Sequence, residues 1–231
     1  MPTKRVISAS ILDIEMPIIW QKLKPVINAG LNLVHLDIVD GHFVPNITYG
    51  PRMAVDLRTL TDIPMEAHLM VTNPEDYMKE LDTKVNSIYF HYEAARAPFR
   101  LIQQIKELGI KAGIALNPST SEETVSYLLP EVDSVLVMLT EPGYGNQQMI
   151  GQAIRKIKHL KRVKEREELS FSIAADGGIK LYNIKAVVDA GADIFVIGSA
   201  IFKSEDPVKS FKALESVLDQ ANEKDSKNSL I

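Results

Sequence analysis

A chain of 231 residues with 45% hydrophobic side chains and charges of both signs can enclose one extensive core, and is short for two full domains. Its formal net charge of -4 offers no basic field to a polyanion such as nucleic acid. The absence of cysteine excludes disulfides and thiolate metal sites, so any metal must be held by nitrogen and oxygen.

The amino-terminal MPTKRVISASIL carries a charged pair but neither the long apolar segment nor the cleavage site of a signal peptide. No apolar run approaches the ~20 residues needed to cross a bilayer, and a soluble, cytoplasmic protein is expected. Short β-branched runs then recur at Val6–Ile11, Leu33–Ile38, Met65–Met70, Ser87–His91, Lys111–Leu116, Ser134–Leu139, Phe171–Ala175 and Ile194–Ile197, and read as strands. Between them lie segments with apolar residues at helical spacing: Pro17–Ala29, Glu75–Leu81, Phe99–Leu108, Glu122–Leu128, Met149–Arg166 and Ile184–Ala190. Gly30, Gly109 and Gly191 follow three of these segments and read as helix C-caps. Eight β-α units in one chain predict an α/β protein with a single (β/α)8 barrel over residues 1–222, followed by a flexible tail at 223–231.

Reactive side chains of such a barrel gather at the C-terminal ends of its strands. His35 and Asp37 are two apart on the second strand and share a face, His68 lies near the end of the third, and Asp176 closes the seventh. Singly, each reads as readily as a hydrogen-bonded core group or a cap. Jointly they point to a divalent cation, because two carboxylates buried together without one are costly. Such a nitrogen and oxygen set accepts zinc, manganese, iron or cobalt. Asp176-Gly177-Gly178-Ile179 and Ile197-Gly198-Ser199-Ala200 follow the last two strands, where barrels commonly hold phosphate on backbone amides. The glycine-rich Glu141–Gln147 stretch after the sixth strand suits a mobile flap or a second amide cradle, and also an ordinary loop. His42 and His159 are assigned to structure or solvent, and the basic KIKHLKRVKER segment to a solvated helix face.

Across nearly the whole chain, from Ser8 to Val217, the sequence resembles the ribulose-phosphate 3-epimerases. The resemblance is carried by SASIL, VHLDIVDGHFVPNIT, AHLMVTNPEDY, FHYEA, PGYGNQ, DGGI and GSAIF. It implies that His35, Asp37, His68 and Asp176 bind one divalent metal, that Asp37 and Asp176 are also the catalytic acid/base pair, and that no organic cofactor is used. It further implies that Ser10, His68, Gly143, Tyr144, Gly145, Asn146, Gly177, Gly178, Gly198 and Ser199 contact the substrate, and that the protein is a homo-oligomer. The substrate implied is D-ribulose 5-phosphate, converted to D-xylulose 5-phosphate in the pentose phosphate pathway.

Four positions depart from the usual family pattern. Val39 stands where methionine is common, Glu141 and Asn146 replace the asparagine and a glycine of NPGFGGQ, and Ala174 replaces the glutamate common near DGG. They keep two other readings open: 3-epimerisation of a hexulose 6-phosphate such as allulose 6-phosphate, and a catalytically idle sugar-phosphate-binding protein.

Overall fold

The computed structural model describes residues 4–228. Eight parallel strands close into one barrel in chain order: β1 (Val6–Ser10), β2 (Val34–Val39), β3 (Met65–Met70), β4 (Ser87–His91), β5 (Lys111–Leu116), β6 (Ser134–Met138), β7 (Ser172–Asp176) and β8 (Ile194–Ile197). The helices are α1 (Ile19–Asn28), α2 (Arg52–Arg58), α3 (Met78–Leu81), α4 (Pro98–Glu107), α5 (Ile154–Arg166), α6 (Ile184–Ala190), α7 (Ser199–Phe202) and α8 (Pro207–Asn228). The expected (β/α)8 architecture is the observed one.

Period-two alternation divides every strand between two cores. The outward set, such as Val34, Leu36 and Ile38 of β2, packs with the helices into one continuous apolar sleeve. The inward set fills the barrel, with Tyr89, Ala115, Leu136, Met138, Ala174 and Val196 forming an apolar cluster on the β4–β8 side. Gly113 on β5 lacks a Cβ because the Tyr89 ring and Ser134 Oγ occupy that space. The β1–β3 side of the lumen is polar and buried, with Ser8, Ser10, His35, Asp37, Glu66 and His68. Buried polar residues on strands that otherwise need only apolar ones mark the functional part of the barrel.

Four details differ from expectation. Glu122–Leu128 is a 3-10 helix, and its buried residues Val125 and Leu128 are three apart, matching that tighter turn. The α2 helix was not anticipated from the sequence. In α5, the basic segment has a packed edge: Lys156 is buried and donates from Nζ to Asn117 O at 2.6 Å and to Thr120 O, while His159 Nδ1 lies 2.7 Å from Glu122 Oε1. Helix α8 carries residues 223–228 of the anticipated tail in helical form, and 229–231 fall outside the described residues. Gly30, Gly109 and Gly191 adopt φ of 111°, 74° and 104°, as left-handed C-caps require. No helix among the described residues is long and apolar enough to cross a membrane.

Candidate active site

The sequence VHLDIVDGHFVPNITY builds the centre of the site and its own support. Chain reversal after β2 lays Thr48 and Tyr49 back along the strand that carries Asp37. Thr48 Oγ1 donates to Asp37 O at 2.6 Å and accepts from Val39 N at 3.1 Å, and Tyr49 Oη accepts from Asp37 N at 3.2 Å. The reversal is held by Asp40, whose Oδ1 accepts from His42 N at 2.8 Å and Phe43 N at 2.9 Å, and whose Oδ2 accepts from Thr72 N at 2.8 Å. Gly41 takes the φ of 76° that this turn needs. His42 itself is exposed, as expected.

Register brings the four candidate ligands together. Asp37 pairs with His68 across β2 and β3, and Asp176 ends β7. His35, Asp37, His68 and Asp176 each offer one ligand atom, and all four atoms lie within 4.8 Å of one another. His35 Nε2 is 3.4 Å from Asp37 Oδ1 and 4.0 Å from Asp176 Oδ2, while His68 Nδ1 is 3.3 Å and 3.6 Å from the same two oxygens. A tetrahedron of nitrogen and oxygen ligands at ~2.0–2.2 Å from a divalent ion has edges of roughly 3.3–3.6 Å; three of these four separations fall in that range, and the His35–Asp176 one at 4.0 Å is longer.

One buried atom tests the fit directly. His35 Nδ1 lies 2.8 Å from Glu66 Oε1, a carboxylate oxygen that can only accept, so Nδ1 carries the proton. In the neutral ring Nε2 is then a lone pair, and this buried Nε2 has no hydrogen-bond partner. It points at the gap between the two aspartates, where a cation would satisfy it. Glu66 is itself held by Ser8 Oγ, which donates to the same oxygen at 2.6 Å.

Without an ion the four groups perturb one another strongly. Burial disfavours imidazolium at His35, but Asp37 and Glu66 outweigh it and raise its pKa well above the usual value. Burial opposes the Asp37 carboxylate, yet the charge of His35 holds its pKa well below the carboxylate range. Burial and the Asp37 charge push Asp176 up to about 7. Burial, with His91 and His35 adjacent, pushes His68 down to about 3.

Asp37 and Asp176 line a solvent-open cavity at the C-terminal mouth of the barrel. Ser10 is there too, donating from Oγ to Asp37 Oδ2 at 2.7 Å and leaving Asp37 Oδ1 toward the histidines. Met70 and Met138 wall the cavity beside the aspartates, and Gly177, Gly178, Gly198 and Ser199 form its far end. A Cβ on Gly178 would fall 2.6 Å from Met149 N, and φ at this residue is 65°, so only glycine suits the position. Gly143, Tyr144, Gly145 and Asn146 form the rim. That loop is tied down: Asn46 Nδ2 donates to Gly143 O at 2.6 Å, Tyr144 Oη donates to Pro45 O, and Gln147 Nε2 donates to Glu141 O at 2.7 Å and Tyr144 O at 2.8 Å.

Several residues that support the site went unnoticed in the sequence. Besides Glu66 and Tyr49, His91 places Nε2 at 2.9 Å from His68 Nε2, and its Nδ1 is 3.3 Å from Glu93 Oε2. The signal was present in FHYEA, where His91 and Glu93 share a strand-end face two residues apart. Asp13 was also missed; it lines the cavity and abuts Gly145.

The model of the ribulose-phosphate 3 epimerase family matches residues 6–202. Among curated proteins, the chain is 39% identical to the ribulose-phosphate 3-epimerase of Methanocaldococcus jannaschii over 219 residues, covering 95% of this chain and 93% of that one. It is 38% identical to the enzyme of the same name from Aquifex aeolicus, covering 93% and 97% of the two chains. Among solved structures, a Streptococcus mutans KGPDC in complex with D-R5P superposes with a TM-score of 0.73 at 12% identity, covering 94% of this chain and 98% of that one, a likeness of fold alone. The chain thus belongs to the ribulose-phosphate 3 epimerase family.

Proposed function

We propose that the protein interconverts D-ribulose 5-phosphate and D-xylulose 5-phosphate by moving the proton at C3, with a divalent ion held by His35, Asp37, His68 and Asp176. The observation that carries this reading is the pair of cavity-lining carboxylates from β2 and β7, two strands that are not neighbours in the barrel, converging on the unpartnered Nε2 of His35. Family membership supports the pentulose phosphate, since the relatives named above are ribulose-phosphate 3-epimerases.

Inversion beside a ketone requires removal of a proton from one face of C3 and delivery of another to the opposite face. In this reading Asp37 from β2 and Asp176 from β7 serve the two faces, one as base and the other as acid, with roles exchanged in the reverse direction. Ser10 holds one Asp37 oxygen, fixing the orientation of that carboxylate. When bound, the ion supplies Lewis-acid stabilisation for the negative charge that develops on the substrate oxygens. Met70 and Met138 give the reacting carbon an apolar wall that keeps bulk water from the exchanged proton. The phosphate is directed to the Gly177–Gly178 and Gly198–Ser199 turns at the far end.

The Glu141–Asn146 rim favours keeping one second reading, a hexulose 6-phosphate as substrate for the same C3 chemistry. Side-by-side turnover of ribulose 5-phosphate and allulose 6-phosphate, with and without chelator, decides. The reading predicts higher kcat/KM for the pentulose and loss of turnover on metal removal. Preference for the hexulose, or undiminished activity in verifiably metal-free protein, contradicts it.

A further inference from the structure

Lys180, four residues beyond the end of β7, turns its side chain back over the glycine turns. Its Nζ donates to Ser199 Oγ at 2.5 Å and to Asn146 Oδ1 at 3.3 Å, so a single ammonium joins the β8 turn to the rim loop after β6. Both acceptors are neutral and both line the cavity. No described carboxylate comes within the 4.0 Å of an ion pair with this half-buried ammonium. A desolvated cation with two neutral acceptors keeps a third N–H, and the Asp13 carboxylate acts on its charge only from beyond ion-pair distance. Ser199 Oγ, having accepted from Lys180, has its own O–H free to donate.

The opposite charge at this end of the cavity is Asp13, which lines the wall against Gly145. Burial raises the pKa of its carboxyl, with Lys203 and Lys180 acting in the other direction. A phosphate in the glycine turns would meet this carboxylate, so backbone amides alone would have to hold the anion beside a negative side chain. An ammonium at the Ser199 hydroxyl offsets that repulsion.

We propose that Lys180 is a side-chain ligand of the substrate phosphate, held by Ser199 and Asn146 so that it completes a cradle otherwise built from backbone. This rests on the sugar-phosphate reading above and adds a cation that discriminates phosphorylated from free sugars. Removing a charge-assisted hydrogen bond of this kind weakens binding by about 10- to 100-fold.

Titration of the metal-loaded enzyme with inorganic phosphate tests Lys180 independently of turnover. Lys180→Met should raise the phosphate dissociation constant about tenfold or more, and Lys180→Arg should restore most of the affinity. Lys203→Met, at an exposed position, should change it by less than about twofold. In turnover of ribulose 5-phosphate, the Lys180→Met loss should fall on KM with kcat little changed, whereas a lysine that only braces the rim would lower kcat. Unchanged phosphate affinity in Lys180→Met, or a loss confined to kcat, overturns the proposal. If wild type binds phosphate through Lys180 yet does not epimerise ribulose 5-phosphate, the failure belongs to the proposed reaction and not to this contact.

Discussion

Nε2 of His68 lies 2.9 Å from Nε2 of His91, with ring centroids 5.0 Å apart and planes tilted by 23°, the geometry of an edge-to-edge hydrogen bond. One ring must donate and the other accept. Glu93, whose pKa falls to about 2 through bonds from His91, Thr120 and the Asn117 amide that outweigh burial, accepts from His91 Nδ1. A neutral ring at His91 presents a lone pair at Nε2, in which case His68 donates from Nε2 and turns an unprotonated Nδ1 toward Asp37 and Asp176. Glu66 does the same for His35 through its other nitrogen. Two outlying carboxylates thus set two histidines in the form that binds a metal.

Glu93→Gln should accordingly weaken divalent-metal affinity by about 10- to 100-fold. The fold should persist, because Glu93 lies at the rim beyond β4. Competitive titration against a chromophoric chelator measures it, and an affinity equal to wild type would remove His91 and Glu93 from the account of the site.

Asp37→Asn and Asp176→Asn each keep side-chain size and a possible ligand oxygen but remove the base. Each should lower kcat for epimerisation by about 100- to 10,000-fold. Metal content should fall less than activity, measured by elemental analysis of the same samples. Near wild-type rates in both variants would rule out the two-aspartate scheme.

Metal affinity should depend on pH in a stated direction. In the metal-free protein Asp176 titrates at about 7, above its ordinary 3.8, and His35 is also raised. Protons therefore compete with the ion in the folded state, and affinity should rise as pH increases through about 7. The same shift makes the neutral Asp176 carboxyl a stabilising feature of the metal-free fold below pH ~3.8, lost as pH rises through about 7. The thermal stabilisation conferred by metal should therefore be larger at pH 8 than at pH 6. Equal stabilisation at both would contradict the assigned titrations.

Phosphate affinity should also depend on the shape of the last turn. A Cβ on Gly198 would sit 3.1 Å from Ser10 O, so Gly198→Val forces the β8 turn away from β1. That change should raise KM for the sugar phosphate more than Lys203→Ala does, and steady-state kinetics on both variants would reveal the reverse order if it held.

The barrel was legible because parallel strands buried on both faces read as separate β-branched runs, with periodic segments between. The convergence of His35, Asp37, His68 and Asp176 was legible because residues at strand ends meet at the mouth in this architecture and polar residues there stand out. Glu66, His91 and Glu93 were not, since their roles depend on cross-strand distances that spacing along the chain does not encode. Lys180 was visible beside the DGG turn, but which neighbours its flexible side chain reaches became apparent only when the loops after β6 and β8 were in place. The 3-10 form of Glu122–Leu128 was hidden for a related reason: Val125 and Leu128 suit either helical period.

Proton NMR of ribulose 5-phosphate turnover in deuterated water tests the central claim most directly. The account predicts xylulose 5-phosphate carrying solvent deuterium at C3, with both product formation and label lost when the metal is stripped and restored when it is returned. Product formed without any deuterium at C3, or formed equally well by metal-free protein, would contradict it.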